Sequence, residues 1–133
     1  AETFLPFHNE GLEGMVHPFE MLYITSMNDF QVSTLSCDRA VRTAGLGNLE
    51  ASAWHPWGIE VDSGPLSGSG VAYFDGGFPA VPEGNLAGSL DYHGQAHGAL
   101  GGLPAAYNMA FDYLESGLIS DTCDGSCTFV GTW

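Results

Sequence analysis

The sequence feature that most constrains the fold is a helical repeat of apolar residues bounded by a proline and a glycine. Pro104 suits the first position of a helix, where no backbone donor is needed, and Gly117 suits a left-handed cap at the helix end. Between them, apolar side chains recur every three or four residues. The spacing predicts one amphipathic helix near residues 103–116 that buries its apolar stripe against a sheet. That stripe consists of Leu103, Tyr107, Ala110, Phe111 and Leu114.

The rest of the chain favours short β-strands separated by glycine-rich turns. Residues 15–27 are rich in aromatic and β-branched side chains, and residues 30–35 alternate apolar and polar side chains after the turn Asn28-Asp29. This pattern predicts a β-hairpin. We therefore expect an α+β fold with a mainly antiparallel β-sheet, arranged as a sandwich or a barrel. At 133 residues, the chain fits a single compact domain over residues 1–133.

The charge of the chain excludes two classes of partner. The chain has sixteen acidic residues and only two basic ones, Arg39 and Arg42, so the formal net charge is −14 at pH 7. Because binding to nucleic acid or to anionic lipid needs clustered cations, we expect neither nucleic acid nor a membrane as a partner. The chain begins at Ala1 rather than at a methionine. A small first residue is compatible with removal of a signal peptide, and together with the two cysteines near the C-terminus it leads us to predict a secreted, extracellular protein.

Three cysteines predict one disulfide and one free thiol in an oxidising compartment, with three pairings open. Cys123 and Cys127 flank an Asp-Gly turn that suits a local bridge. A bridge from Cys37 to either of them would close a longer loop and stabilise the fold more, so we favour a long-range bridge. The unpaired cysteine would also offer a route to a homodimer.

The densest group of chemically active side chains is Asp91, His93 and His97. Residues four apart share one face of a helix, with Cβ atoms about 6 Å apart, which suits two ligands of one ion. Gly94 and Gly98 weaken a helix, however, so we expect the end of a strand that runs into a loop. We predict that these three residues hold a divalent metal, zinc or copper. The competing interpretation is two hydrogen-bonded loop histidines without a ligand.

A second candidate site is Trp54-His55-Pro56-Trp57. Two tryptophans beside a His-Pro turn could form a platform that stacks on sugar rings or on apolar ligands, with Trp54, His55 and Trp57 as the binding residues. Large aromatic side chains dominate protein interiors, so packing of both tryptophans in the core is the favoured interpretation.

No stretch carries a zinc-protease, dinucleotide-binding or calcium-loop motif. We therefore expect a secreted, acidic binding or interaction module that takes a metal ion or a small ligand through the segment of His93 and His97. One alternative is a small secreted hydrolase or lyase that uses His93 or His97 as a general base, oriented by Asp91. Another is a carbohydrate-binding protein that uses Trp54 and Trp57.

Overall fold

The computed structural model describes residues 19–84 and 93–129, and it describes side chains in the second range from residue 95 onward. In chain order the elements are β1 (Leu22–Ser26), α1 (Thr34–Ala44), β2 (Gly47–Leu49), β3 (Val61–Asp62), β4 (Leu66–Ser67), β5 (Gly70–Phe74), α2 (His93–Ala99), a 3-10 turn (Leu100–Gly102), α3 (Pro104–Ser116) and β6 (Leu118–Ile119). No helix in these ranges is long and apolar enough to cross a membrane.

The main sheet has four parallel strands in the order β1-β5-β2-β3. Strands β4 and β6 form a separate antiparallel pair. The prediction of a mainly antiparallel sandwich or barrel is therefore wrong. Two parallel strands need a connection that returns the chain from the end of the first strand to the starting edge of the sheet. Helix α1 is this crossover between β1 and β2.

The predicted hairpin is wrong, because residues 30–33 contain a bend in place of a second strand and α1 begins at Thr34. Ser33 caps α1 by accepting a hydrogen bond from the backbone N–H of Ser36, at 3.3 Å. Gly45 ends the helix with a left-handed φ of 67°. The buried side chains of α1 recur at helical spacing and pack on the sheet. They are Cys37, Asp38, Ala40, Val41 and Ala44.

Helix α3 lies where a helix was predicted, with Pro104 in its first turn and Gly117 as a left-handed cap at φ 70°. Leu103 of the predicted apolar stripe is buried, but the face that the helix itself buries is not the predicted one. Its buried residues are Ala105, Ala106 and Met109. By contrast, Tyr107, Phe111 and Leu114 are exposed. Small alanines let the helix backbone approach its neighbours closely, and the larger apolar side chains then fall on the solvent side.

Strand β5 separates two hydrophobic clusters, because alternate side chains of a strand point to opposite faces. Ala72 and Phe74 belong to the cluster that contains Met109 of α3. Val71 and Tyr73 belong to the cluster on the other face, where α1 contributes its buried side chains. All five residues of β5 are buried, so this strand is the centre of the core.

A buried hydrogen-bonded group joins β5, α1 and the loop after β2. The hydroxyl of Tyr73 donates to Oδ1 of Asp38 at 2.9 Å, and Nε1 of Trp54 donates to Oδ2 of the same carboxylate at 3.4 Å. Burial, together with the hydrogen bond and the negative charge of Asp38, raises the pKa of Tyr73 far above its ordinary value. The carboxylate thus accepts hydrogen bonds from one buried donor, Tyr73, and one partly exposed donor, Trp54.

The single disulfide joins Cys123 to Cys127, with Cα atoms 5.1 Å apart. The favoured long-range bridge is therefore wrong. Cys37 cannot reach either partner because it lies on α1 and packs in the cluster with Val71 and Tyr73. At 2% exposure, its thiol offers no surface group to link two chains, which removes the physical basis for the predicted disulfide-linked homodimer.

We expect Tyr73→Phe to lower the free energy of unfolding by about 1–3 kcal/mol, because Asp38 loses a buried hydrogen-bond donor. Above a pH of about 10, the unfolded chain releases the tyrosine proton more readily than the folded chain, so wild-type stability should fall as the pH rises. The free energy of unfolding of the variant should fall less steeply than that of the wild type as the pH rises above about 10. Urea denaturation at neutral and alkaline pH measures both effects, with the exposed Tyr107→Phe as the control. Equal stability of Tyr73→Phe and wild type would contradict the role given to the hydroxyl.

We expect a thiol reagent to find no rapidly reacting sulfhydryl in the native protein and one sulfhydryl after denaturation without reductant. The single thiol is that of buried Cys37, while Cys123 and Cys127 remain joined. Peptide mapping after alkylation identifies the labelled residue. Three free thiols, or a label on Cys123, would refute this pairing.

Candidate functional site

The candidate site is built around Asp29, which follows the carboxyl end of β1. Its Oδ1 accepts hydrogen bonds from the backbone N–H groups of Gln31, at 2.8 Å, and Val32, at 3.1 Å. Its Oδ2 lies 2.7 Å from Nδ1 of His97 on α2. Asp29 is buried, and three donors meet its carboxylate. The position of this carboxylate is therefore fixed by the turn that starts α1.

The contact with Asp29 decides which nitrogen of His97 is available. An ionised carboxylate only accepts hydrogen bonds, so Nδ1 carries the proton that is donated to Asp29. In the neutral ring, Nε2 then keeps its lone pair. The side chain of His97 is 46% exposed, and no hydrogen bond to Nε2 is found in the described part of the chain. The ring can therefore bind a cation or accept a proton while Asp29 holds it in place.

A cavity of about 180 Å³ lies beside this pair. Residues 23–26 of β1 form one wall, and the other lining residues are Asp29, Val32, Cys37, His97 and Leu100. The turn with Asp29 follows the carboxyl end of a parallel strand. In open sheets of parallel strands, ligands bind at this end.

The thiol of Cys37 belongs to the same cavity but is engaged by hydroxyl groups. Oγ1 of Thr25 donates to its sulfur at 3.1 Å, and the hydroxyl of Tyr23 does so at 3.7 Å. Both donors come from β1. The sulfur therefore ties α1 to this edge of the sheet, and Cys37 is one of the residues that line the cavity.

The segment of the two histidines is helical, so the expected strand and loop are wrong at residues 93–99. Gly94 and Gly98 weaken the helix, but Ala96 and Ala99 on its inner face are buried against Phe78 and offset that cost. On this helix, positions 93 and 97 are one turn apart and share a face. The metal site of Asp91, His93 and His97 stays a prediction, because Asp91 and the side chain of His93 lie outside the described residues.

Sequence reasoning missed Asp29. The turn Asn28-Asp29 was interpreted as the bend of a hairpin, whereas Asp29 forms a side-chain turn that leads into α1. Asp29 and His97 are 68 positions apart. The available signal was a carboxylate three residues after the end of an apolar strand, since such positions lie at the carboxyl edge of a parallel sheet.

The second predicted site lies at the surface, so the core interpretation of its tryptophans is wrong. Trp54 is 43% exposed and Trp57 is 87% exposed. His55 holds the loop instead, because its Nε2 lies 3.1 Å from the backbone carbonyl oxygen of Glu50. Binding of a ligand by Trp54, His55 and Trp57 stays a prediction.

A further group with metal-binding atoms lies at the disulfide. Ligand atoms of Asp121, Cys123 and Cys127 all lie within 4.8 Å of one another. Zinc is bound by thiolates, however, and the two sulfurs are bonded to each other. This group could hold a metal only after reduction, so it does not compete with the site of His97 in the oxidised protein.

The sequence matches no family model, and no curated protein or solved structure is similar to it. The functional conclusion therefore depends on the chemistry of the site alone.

We expect Asp29→Ala and His97→Ala to differ in their effect on stability. Asp29→Ala leaves two backbone N–H groups at the start of α1 without their acceptor and should lower the free energy of unfolding by about 1–3 kcal/mol. His97→Ala removes a half-exposed ring and should cost under about 1 kcal/mol. Urea denaturation of the two variants measures the difference. A larger loss for His97→Ala would show that the ring supports the fold rather than serving a ligand.

Proposed function

We propose that the protein is a secreted, acidic binding module whose ligand is a divalent transition-metal ion, zinc or copper, held at His97. The observation that carries the proposal is the 2.7 Å contact between Asp29 and Nδ1 of His97, at a cavity that His97 itself lines. Metal-binding histidines commonly donate their second ring N–H to a carboxylate, which fixes the tautomer and makes the ring a stronger ligand. Asp29 would play this part.

The choice of a cation follows from charge. A formal net charge of −14 gives the molecule a negative field that attracts cations and repels anionic ligands. Imidazole is a good ligand for zinc and copper, whereas calcium and magnesium prefer sets of oxygen atoms. A ring held by Asp29 therefore favours a transition metal.

The backbone of α2 supports a second ligand from the same helix. His93 precedes His97 by one helical turn, and such pairs can bind one ion because their Cβ atoms are about 6 Å apart. In this proposal His93 and His97 are the protein ligands, and Asp29 orients the ring of His97.

Secretion is supported by the bridge between Cys123 and Cys127. Disulfides form and persist in oxidising compartments and are rare in reducing ones. The low number of cationic residues is also compatible with a protein that meets neither nucleic acid nor anionic lipid.

The same contact supports an alternative function, a small hydrolase or lyase with His97 as general base. A base needs one ring nitrogen free for the proton and the other held in place, and Asp29 now supplies the support that was predicted from Asp91. The negative net charge of the chain favours the metal-binding function, because it attracts cations. The hydrolase alternative would also need a nucleophile or a bound water beside His97.

We expect calorimetric titration to show that zinc or copper binds the wild-type protein and that His97→Ala abolishes the binding. Asp29→Asn should weaken binding about 10- to 100-fold, because the ring loses its carboxylate support. His93→Ala should also weaken it. Since ligating imidazole must be deprotonated, affinity should fall as the medium becomes acidic.

The matched control is His55→Ala, which removes a surface imidazole that is bonded to a backbone carbonyl away from the cavity. It should bind metal as the wild type does. Equal affinity of wild type and His97→Ala, or no wild-type binding tighter than about millimolar, would remove the metal site. Hydrolysis of an ester substrate that His97→Ala alone abolishes would then favour the general-base alternative.

A further inference from the structure

We propose a second binding site, independent of His97, at which Trp57 and the cavity beside it bind consecutive sugar rings of a neutral polysaccharide. The sequence pointed to Trp54, His55 and Trp57 together. The structure separates their roles: Trp57 is the stacking surface, Trp54 and His55 fix the loop, and Arg42 and Glu60 add polar groups that the sequence pattern did not connect with it.

The first observation is the exposure of Trp57. At 87% it is the most exposed of the large apolar side chains in the described part of the chain, and its indole ring is the largest such surface. The indole ring of Trp57 is flat, has an apolar face and is accessible to a ligand from solvent. The C–H face of a pyranose ring complements such a surface, because both are apolar while their edges can hydrogen-bond.

The second observation is that the loop is held from several sides. The carbonyl oxygen of Trp54 accepts a hydrogen bond from Nδ2 of buried Asn48 at 2.9 Å, and its indole N–H donates to Asp38. The carbonyl oxygen of Trp57 accepts from the guanidinium of Arg42 at 3.4 Å. A loop fixed in this way loses little conformational entropy when a ligand binds.

The third observation is a cavity of about 180 Å³ beside the loop that carries Trp57. Arg42, Gly58 and Glu60 are among its lining residues, and Gly58 directly follows Trp57. The cavity is smaller than the sites of drug-sized molecules, which measure about 300–1,000 Å³. It suits one ring of a chain whose neighbouring ring stacks on Trp57.

The chemistry of the lining suits hydroxyl groups. A sugar hydroxyl both donates and accepts hydrogen bonds. The guanidinium of Arg42 is purely a donor, and the carboxylate of Glu60 is purely an acceptor. Their charges are opposite, so the cavity has no local excess of either sign, and the net charge of −14 repels anionic glycans. A neutral polysaccharide is therefore the ligand class that fits.

The test is calorimetric titration of the full chain with four neutral probes, cellohexaose, xylohexaose, mannohexaose and hexa-N-acetylchitohexaose, and with anionic polygalacturonate for comparison. We expect wild type to bind at least one of the neutral probes, and Trp57→Ala to bind it about tenfold more weakly, which corresponds to about 1.4 kcal/mol. Trp57→Phe should retain most of the affinity because it keeps an aromatic face. Glu60→Gln should weaken binding several-fold, since it replaces a charged acceptor.

Tyr107→Ala is the matched control, because it removes another exposed aromatic ring, 56% exposed, from α3. Its sugar affinity should equal that of the wild type. Trp57→Ala should keep the wild-type denaturation midpoint, so that a loss of binding is not a loss of folding. His97→Ala and added chelator should leave sugar binding unchanged, which separates this site from the proposed metal site.

Three outcomes would overturn the proposal. They are no binding of any neutral probe by wild type, equal affinity of wild type and Trp57→Ala, and binding of polygalacturonate in preference to every neutral probe.

Discussion

The structure depends on the burial and parallel pairing of β5. This strand lies between β1 and β2, and its register aligns Gly70 with Leu22 of β1 and with Gly47 of β2. Gly70 permits the close approach, because a Cβ atom there would lie 2.8 Å from side-chain carbons of Leu66 and Ile119. Those two residues belong to the small antiparallel pair, so one glycine allows both sheets to pack together.

The two halves of the candidate site are positioned from the same strand. The N–H of Met27 donates to the carbonyl oxygen of Phe74 at 2.8 Å, which extends the pairing of β1 and β5 to the turn with Asp29. Beyond β5, the carbonyl oxygen of Phe78 accepts from the side chain of Asn28 at 3.0 Å. Phe78 packs against Ala96 and Ala99 on the inner face of α2. The same helix carries His97. A shift of this connection would therefore move both sides of the cavity.

The sequence was informative where structure is decided locally. Pro104 and Gly117 marked the bounds of α3 because they act within one turn of a helix. The pairing of Leu22 with Gly70 joins positions 48 apart, and no local pattern encodes it. The helix periodicity also could not reveal which face is buried, since that depends on how closely the alanines of α3 approach their neighbours. The contact between Asp29 and His97 depends on this distant pairing and was missed for the same reason.

Part of the excess of acidic residues is accommodated by hydrogen bonds to the backbone. Within the described ranges no carboxylate forms a salt bridge with an arginine, and His97 meets Asp29 through a hydrogen bond. Several aspartates instead accept hydrogen bonds from backbone N–H groups two residues ahead, at 2.7–3.1 Å. These aspartates are Asp29, Asp62, Asp75 and Asp121. Such turns satisfy the oxygen atoms without neutralising their charge. The negative field of the protein therefore persists, and this field supports the proposed binding of a cation at His97.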